Sequence, residues 1–181
     1  MICVIGGGVG TASAYPIARA FTKVGTKVVS IIGAKSANLL LLEDEISKVS
    51  HELVITTDDG TKGIKGFVSE ALKNLIEKGY KFDVVYAIGP TVMMRAVAET
   101  TRPFGIKTIV SLNPIMVDGM GMCGSCRVTV NGVTKFACVD GPEFDAHGVD
   151  FKELLERQRG FLAEEKLALQ LLQEKRCACG H

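Results

Sequence analysis

A short apolar run that breaks into glycine near residue 6 is the feature that most constrains this fold. Met1-Ile-Cys-Val-Ile5 carries no charge, and Gly6-Gly-Gly-Val-Gly10 follows at once. A strand without a polar face is one covered on both sides, as in a parallel sheet. Glycine permits the sharp turn, and a helix with Ala18, Phe21 and Val24 on one face follows. Pro16 is expected in its first turn, where a missing N–H breaks no bond. Strand, glycine loop and helix together make an anion site, because unpaired N–H groups and the helix dipole both favour a phosphate. The loop departs from the usual dinucleotide fingerprint. With Gly6 and Gly8 as its first two glycines, the third position is Thr11. A tight turn without a ligand is the competing reading.

The same alternation repeats along the chain. Further strands are read at Lys27–Ile32, Glu52–Thr56, Phe82–Ile88 and Lys107–Leu112. The second ends in Gly33-Ala34-Lys35, with no acidic residue for a ribose hydroxyl. Helices are expected from Asn38 to Val49, with Ser36 as cap, and from Gly66 to Lys78; another is expected after Thr91, with Thr91 as cap. The fold class is therefore α/β, a five-stranded doubly wound parallel sheet. Ligands of such sheets bind outside the carboxyl ends of the strands, where the glycine loop, the Asp58 loop and Gly89-Pro90 all lie. Met93 and Met94 read as core filler, and His51 as a solvated loop residue.

After Asn113-Pro114 the alternation stops and a cysteine segment begins. Asp118, Cys123, Cys126 and Cys138 follow the spacing D-x4-C-x2-C-x11-C. Thiolates on a short loop can surround an iron–sulfur cluster or a tetrahedral zinc, and either is open at this point. Arg127–Val130, the turn Asn131-Gly132 and Val133–Ala137 signal a hairpin that returns Cys138 to Cys123 and Cys126. His147 reads as a polar-loop residue rather than a ligand. A final helix starts near Asp150, interrupted at Gly160, and its leucines need a surface to cover them. Cys177 and Cys179 read as part of a tail. We divide the chain into a nucleotide domain (1–112), a cluster segment (113–148) and a C-terminal helix and tail (149–181).

Composition removes several classes of function. The chain has 21 basic and 20 acidic residues and a net charge of +1, so no basic surface points to nucleic acid. It is 47% apolar with mean hydropathy +0.26, yet no apolar run reaches the ~18 residues of a membrane span. Six cysteines without an export signal point to metal in the cytoplasm rather than disulfides.

Gly6-Gly-Gly-Val-Gly10 with Tyr15-Pro16-Ile17-Ala18, then Gly89-Pro90 with Met93-Met94, then the Cys123/Cys126/Cys138 segment, resemble the electron-transfer subunits of the ferredoxin reductase superfamily. The resemblance spans roughly residues 1 to 170. The nearest patterns are the small subunit of NADH-dependent ferredoxin:NADP oxidoreductase (also described as a sulfide dehydrogenase subunit) and the dihydroorotate dehydrogenase electron-transfer subunit. It implies part of an oxidoreductase complex with NAD(H) or NADP(H), FAD and a 2Fe–2S cluster, working with a larger catalytic flavoprotein or iron–sulfur subunit. A hydride would pass from NADH to the flavin, and electrons would leave singly through the cluster.

Carried over by position, Gly7, Gly8, Val9, Gly10 and Thr11 would hold the pyrophosphate. Thr57, Asp58 and Gly60 would lie near the adenosine half, Gly89 and Pro90 near the nicotinamide, and Asn113 near the flavin. Asp118 stands where the dihydroorotate branch has a fourth cysteine, which favours the ferredoxin:NADP branch. The family also carries a flavin-binding barrel ahead of the first strand; here it is expected from another segment or chain. Two rivals remain at the level of sequence: a zinc-stabilised nucleotide-binding module without redox function, and a folded domain with idle cysteines.

Overall fold

A computed structural model describes residues 1–178. The chain runs β1 (Ile2–Gly7), α1 (Gly10–Lys23), β2 (Val28–Ala34), α2 (Glu43–Val49), β3 (Glu52–Thr57), β4 (Ile64–Lys65), α3 (Val68–Glu77), β5 (Val84–Ile88), α4 (Thr91–Thr101) and β6 (Lys107–Ser111). It continues as the hairpin β7 (Arg127–Val130) and β8 (Val133–Phe136), a one-turn helix α5 (Ala137–Asp140), β9 (Glu143–Asp145), α6 (Phe151–Gln158) and α7 (Leu162–Ala178).

The five expected strands form the middle of a larger sheet. Its order is β4-β3-β2-β1-β5-β6-β9, seven strands in all. Every pairing is parallel except that of β6 with β9. The two added edges escaped the sequence because β4 has two residues and β9 three, too few to show a period. Strand geometry then divides the core between two faces. Cys3, Ile5, Val29, Ile31, Val85 and Ala87 pack against Leu72 of α3 and Met94 and Val97 of α4. Ile2, Val4, Val28 and Ile88 meet Ala14 and Ala18 of α1 on the opposite face. Burying one such aliphatic side chain contributes on the order of 2 kcal/mol, so both faces hold the sheet flatly between helices. Cys126, Val128, Val130, Ala137, Phe151 and Leu154 join the first of these clusters, which fastens the cysteine segment to the sheet domain.

Several local expectations are corrected. Pro16 lies inside α1, which begins at Gly10, so the Ala12 carbonyl lacks its helical donor. The expected helix from Asn38 is a single turn, Ala37–Leu39; the chain then opens and Leu42 takes φ 53° before α2 begins. Ser36 is the N-cap residue of that turn, but its hydroxyl bonds the Asn38 side chain rather than a backbone N–H. Pro90 is the N-cap of α4, leaving Thr91 inside the helix with its hydroxyl free for tertiary contacts. The second hairpin strand ends at Phe136, and Cys138 sits on α5. The interruption expected near Gly160 does separate α6 from α7, and Phe161 before α7 with Leu162, Leu167, Leu169, Leu171 and Leu172 along it are exposed. Cys179 and the side chain of Cys177 lie outside the described residues. Among the described residues, no helix is long and apolar enough to cross a membrane.

Candidate functional site

A cleft of about 920 Å³ opens at the carboxyl ends of β1, β2 and β3. Its position follows from topology: β2 and β3 lie on one side of β1, whereas β5 and β6 lie on the other. Loops leaving β1 and β5 therefore diverge, and a crevice stays open between them. Gly7, Gly8, Val9, Lys35, Asp58 and Pro90 line it, and Val9 is 81% exposed at its mouth. Close packing fixes the glycines around it. A Cβ on Gly10 would lie 2.3 Å from the Ile88 carbonyl oxygen, and one on Gly7 2.3 Å from the Met93 sulfur. The start of α1 is thus drawn against β5; the Gly8, Thr11 and Ala12 N–H groups donate to the Gly33, Gly8 and Val9 carbonyls, which leaves the Val9 and Gly10 amides as the donors open to a negative group.

Other residues named from the sequence play supporting parts. Thr11 is buried beneath Gly6, and Gly89 packs behind Gly7. Thr57 is buried; its hydroxyl donates to the Lys62 carbonyl at 2.8 Å and accepts from the Lys62 N–H at 3.1 Å. Gly60 supplies a positive φ of 79° in the same loop. This loop is tied to the end of β2: the Asp58 N–H donates to the Ala34 carbonyl and the Asp59 N–H to that of Lys35. Asp59 accepts from the Thr61 hydroxyl at 2.7 Å and the Thr61 N–H at 2.9 Å, which hold its carboxyl below the usual carboxylate range. Sequence reasoning missed Leu39, Leu41, Phe67, Val92 and Met93, all of which line the cleft. Met94 is core as expected, whereas Met93 faces the cleft; the two share a helix but fall on different sides of it.

Asn113 does not line the cleft. Its side-chain oxygen lies 2.9 Å from the Thr91 hydroxyl, and its carbonyl accepts from the Gln158 amide at 2.8 Å. Thr91 also meets the Gln158 side chain at 2.9 Å. The exit of β6, the start of α4 and the end of α6 are locked together here.

Beyond Asn113 the cysteine loop leaves the same carboxyl edge. Cys126 is buried, Cys138 half-buried and Cys123 exposed. The Cys126 and Cys138 sulfurs lie 3.2 Å apart. Two ligands of one tetrahedral metal at ~2.3 Å would sit ~3.8 Å from each other, so a small adjustment suits this pair to a shared metal. Their contact, with burial second, raises the Cys138 thiol pKa; the Asp118 charge is a smaller contributor in the same direction. Asp118 accepts from the Met120 N–H at 3.0 Å and the Cys123 N–H at 2.9 Å. Those bonds, Met120 first, lower its pKa. The Ser125 side chain first, and then its N–H at 3.4 Å from the Cys123 sulfur, lower the pKa of that thiol. Among the described residues, no three of His, Cys, Asp and Glu converge on one point. The arrangement is instead two pairs, Cys126 with Cys138 and Asp118 beside Cys123. A two-metal centre with two ligands per metal fits that pattern better than one zinc with four. His147 stands apart, its ring nitrogen 3.0 Å from the Thr101 hydroxyl.

Residues 4–99 match the oxidoreductase NAD-binding domain family, over half of the chain. The chain belongs to that family. Residues 113–150 match the iron–sulfur cluster binding domain of dihydroorotate dehydrogenase B. NAD(H) and a 2Fe–2S cluster are the cofactors these two matches call for, and FAD belongs to the same family context. A dihydroorotate dehydrogenase B (NAD(+)) electron transfer subunit homolog of Thermotoga maritima is 47% identical over 92% of this chain and 58% of its own length. A probable subunit of the same name from Methanocaldococcus jannaschii is 38% identical over 79% of this chain and 54% of its own. The chain thus spans little more than half the length of these family members. A solved structure of NADH-dependent reduced ferredoxin-NADP oxidoreductase superposes with a TM-score of 0.87 at 43% identity, over 96% of this chain and 63% of that one.

Proposed function

We propose that this chain is the nucleotide- and cluster-bearing part of an electron-transfer subunit, carrying electrons between NAD(H) or NADP(H), a flavin and a 2Fe–2S cluster. One observation carries the reading. The cleft and the thiol loop leave the same edge of one sheet and are joined through Thr91, Asn113 and Gln158. A nucleotide in the cleft would set its pyrophosphate along Gly7 to Thr11, on the open amides of Val9 and Gly10 at the start of α1. Its adenosine half would reach the Asp58 loop and its nicotinamide the Gly89-Pro90 turn. Cys126 and Cys138 would hold one iron, and Asp118 and Cys123 the other. When bound, the cluster accepts electrons one at a time where a nicotinamide gives two together. The chain's own residues bind and orient, and we assign none of them as a general acid or base.

We place Asn113 near the flavin, whose remaining contacts would come from a flavin domain beyond these residues. A larger catalytic subunit would receive the electrons. Asp118 in place of a cysteine supports the ferredoxin:NADP oxidoreductase reading over a dihydroorotate-oxidising one, since an Asp at this position is characteristic of the former branch and a cysteine of the latter; as a harder donor than thiolate, the carboxylate would also alter the potential. We further read residues 1–112, 113–148 and 149–181 as nucleotide domain, cluster segment and C-terminal extension. Anaerobic reconstitution with iron and sulfide, followed by visible absorption and EPR, tests the proposal. A coloured protein with a reduced 2Fe–2S signal is expected. A colourless protein holding one zinc would overturn it.

A further inference from the structure

The turn between Cys123 and Cys126 gives both of its inner carbonyls to arginines, one the residue that follows the turn and the other from the distant helix α6. Arg127 of β7 donates to the Gly124 carbonyl twice, from Nη1 at 3.2 Å and from its backbone N–H at 3.3 Å. Arg157 of α6 donates from Nη2 to the Ser125 carbonyl at 3.0 Å, across 32 positions of chain. In a trans peptide the carbonyl and the following N–H point in opposite directions. Fixing the Gly124 oxygen on Arg127 therefore turns the Ser125 N–H the other way, and it meets the Cys123 sulfur at 3.4 Å. Fixing the Ser125 oxygen on Arg157 likewise turns the Cys126 N–H away from that guanidinium. Neither arginine pairs with a carboxylate among the described residues, so both charges stay unneutralised by the protein beside the loop. Guanidinium is always protonated.

We propose that Arg157 and Arg127 are positioning residues that set the reduction potential of the cluster. They aim backbone amides toward the sulfurs and place positive charge next to a group that gains negative charge on reduction. Both effects stabilise the reduced state and raise the potential. The proposal rests on reading residues 113–138 as the 2Fe–2S site. Tying α6 to the loop is the other function the geometry offers Arg157, and it would leave the potential unmoved.

The test uses the full chain, anaerobically reconstituted, as wild type, Arg157→Gln, Arg157→Lys and Arg127→Gln. EPR-monitored redox titration reads the potential. Hydrogen exchange of the Ser125 and Cys126 amides in the cluster-free chain reads loop order. Arg157→Gln is expected to weaken reduction about tenfold, ~59 mV more negative for one electron. It should also speed exchange at both amides and alter the EPR line shape. Arg127→Gln should act in the same direction, and Arg157→Lys should keep most of the potential by keeping the charge. A loaded Arg157→Gln protein with unchanged potential and EPR overturns the proposal. If that variant takes up no cluster, faster exchange in its cluster-free chain supports the proposal and unchanged exchange overturns it. Failure of the wild type to load a cluster overturns both this proposal and the reading beneath it, whereas a contrast confined to the variants bears on the arginines alone.

Discussion

Cys126 and Cys138 bring their sulfurs to 3.2 Å across 12 positions of chain. The β7–β8 register produces the meeting. Arg127 pairs with Phe136, and the Ala137 N–H donates to the Cys126 carbonyl just beyond that pair. The α5 turn then carries Cys138 back over Cys126. Cys126→Ala should therefore abolish cluster uptake, read as loss of visible absorption after reconstitution. Asp118→Cys should keep a cluster with a changed potential. An Asp118→Ala protein whose EPR signal and potential match wild type would show that the carboxylate is no ligand.

Val9 stands at the cleft mouth with most of its side chain in solvent. Val9→Asp should leave the urea midpoint within error and weaken NADH binding about tenfold, because a carboxylate there opposes the pyrophosphate (~1.4 kcal/mol). Equal affinity in a fluorescence titration would argue against a nucleotide pyrophosphate at this loop.

Lys35 also lines the cleft, beyond the end of β2, where dinucleotide folds read the ribose. Lys35→Glu should cut NADPH affinity by about tenfold or more and change NADH affinity by less than about threefold, by the charge it sets against a 2′-phosphate. Parallel titrations with the two nucleotides decide it; equal losses would remove Lys35 from this function.

Gly10 packs on the backbone of β5 with no space for a methyl group. Gly10→Ala should destabilise the fold by ~2 kcal/mol through overpacking, measured by urea unfolding followed by circular dichroism. A stability equal to wild type would mean that α1 can shift away from Ile88 without cost.

The Asp59 carboxyl has a lowered pKa because Thr61 donates to it twice. Its stabilising effect is complete above the unfolded value of about 3.9 and is lost as pH falls through the lower folded value. Asp59→Asn should therefore be less stable than wild type by a constant amount at neutral pH. The gap should close below about pH 4. Thermal melts across pH 2.5 to 7 would show it, and a gap that widens in acid would contradict the assignment.

The doubly wound class and the five central strands were legible in local pattern. Met1–Ile5 and Lys27–Ile32 are uniformly apolar because a parallel strand is covered on both faces. The spacing of Asp118, Cys123, Cys126 and Cys138 was legible for a similar reason, since a ligand loop is short and its residues are near neighbours. Spacing could not show that these four groups stand as two pairs, because pairing depends on where the hairpin and the α5 turn come to rest. Leu39 falls in the helix expected from Asn38, yet it lines the cleft with Leu41 because the turn stops at Leu39 and Leu42 takes a left-handed backbone before α2. A helical period was present in the sequence there, and the tertiary structure overrode it.

Sequence alone determined the five central strands, the glycine turns and the cysteine spacing, all of which depend on residues close to one another along the chain. Only the tertiary structure decided what joins them. Arg157 reaches the Ser125 carbonyl across 32 positions, Gln158 reaches Asn113 across 45, and Thr91 meets Gln158 across 67. Such contacts follow from the packing of α6 beside α4 on the finished sheet, and no local period or propensity encodes them.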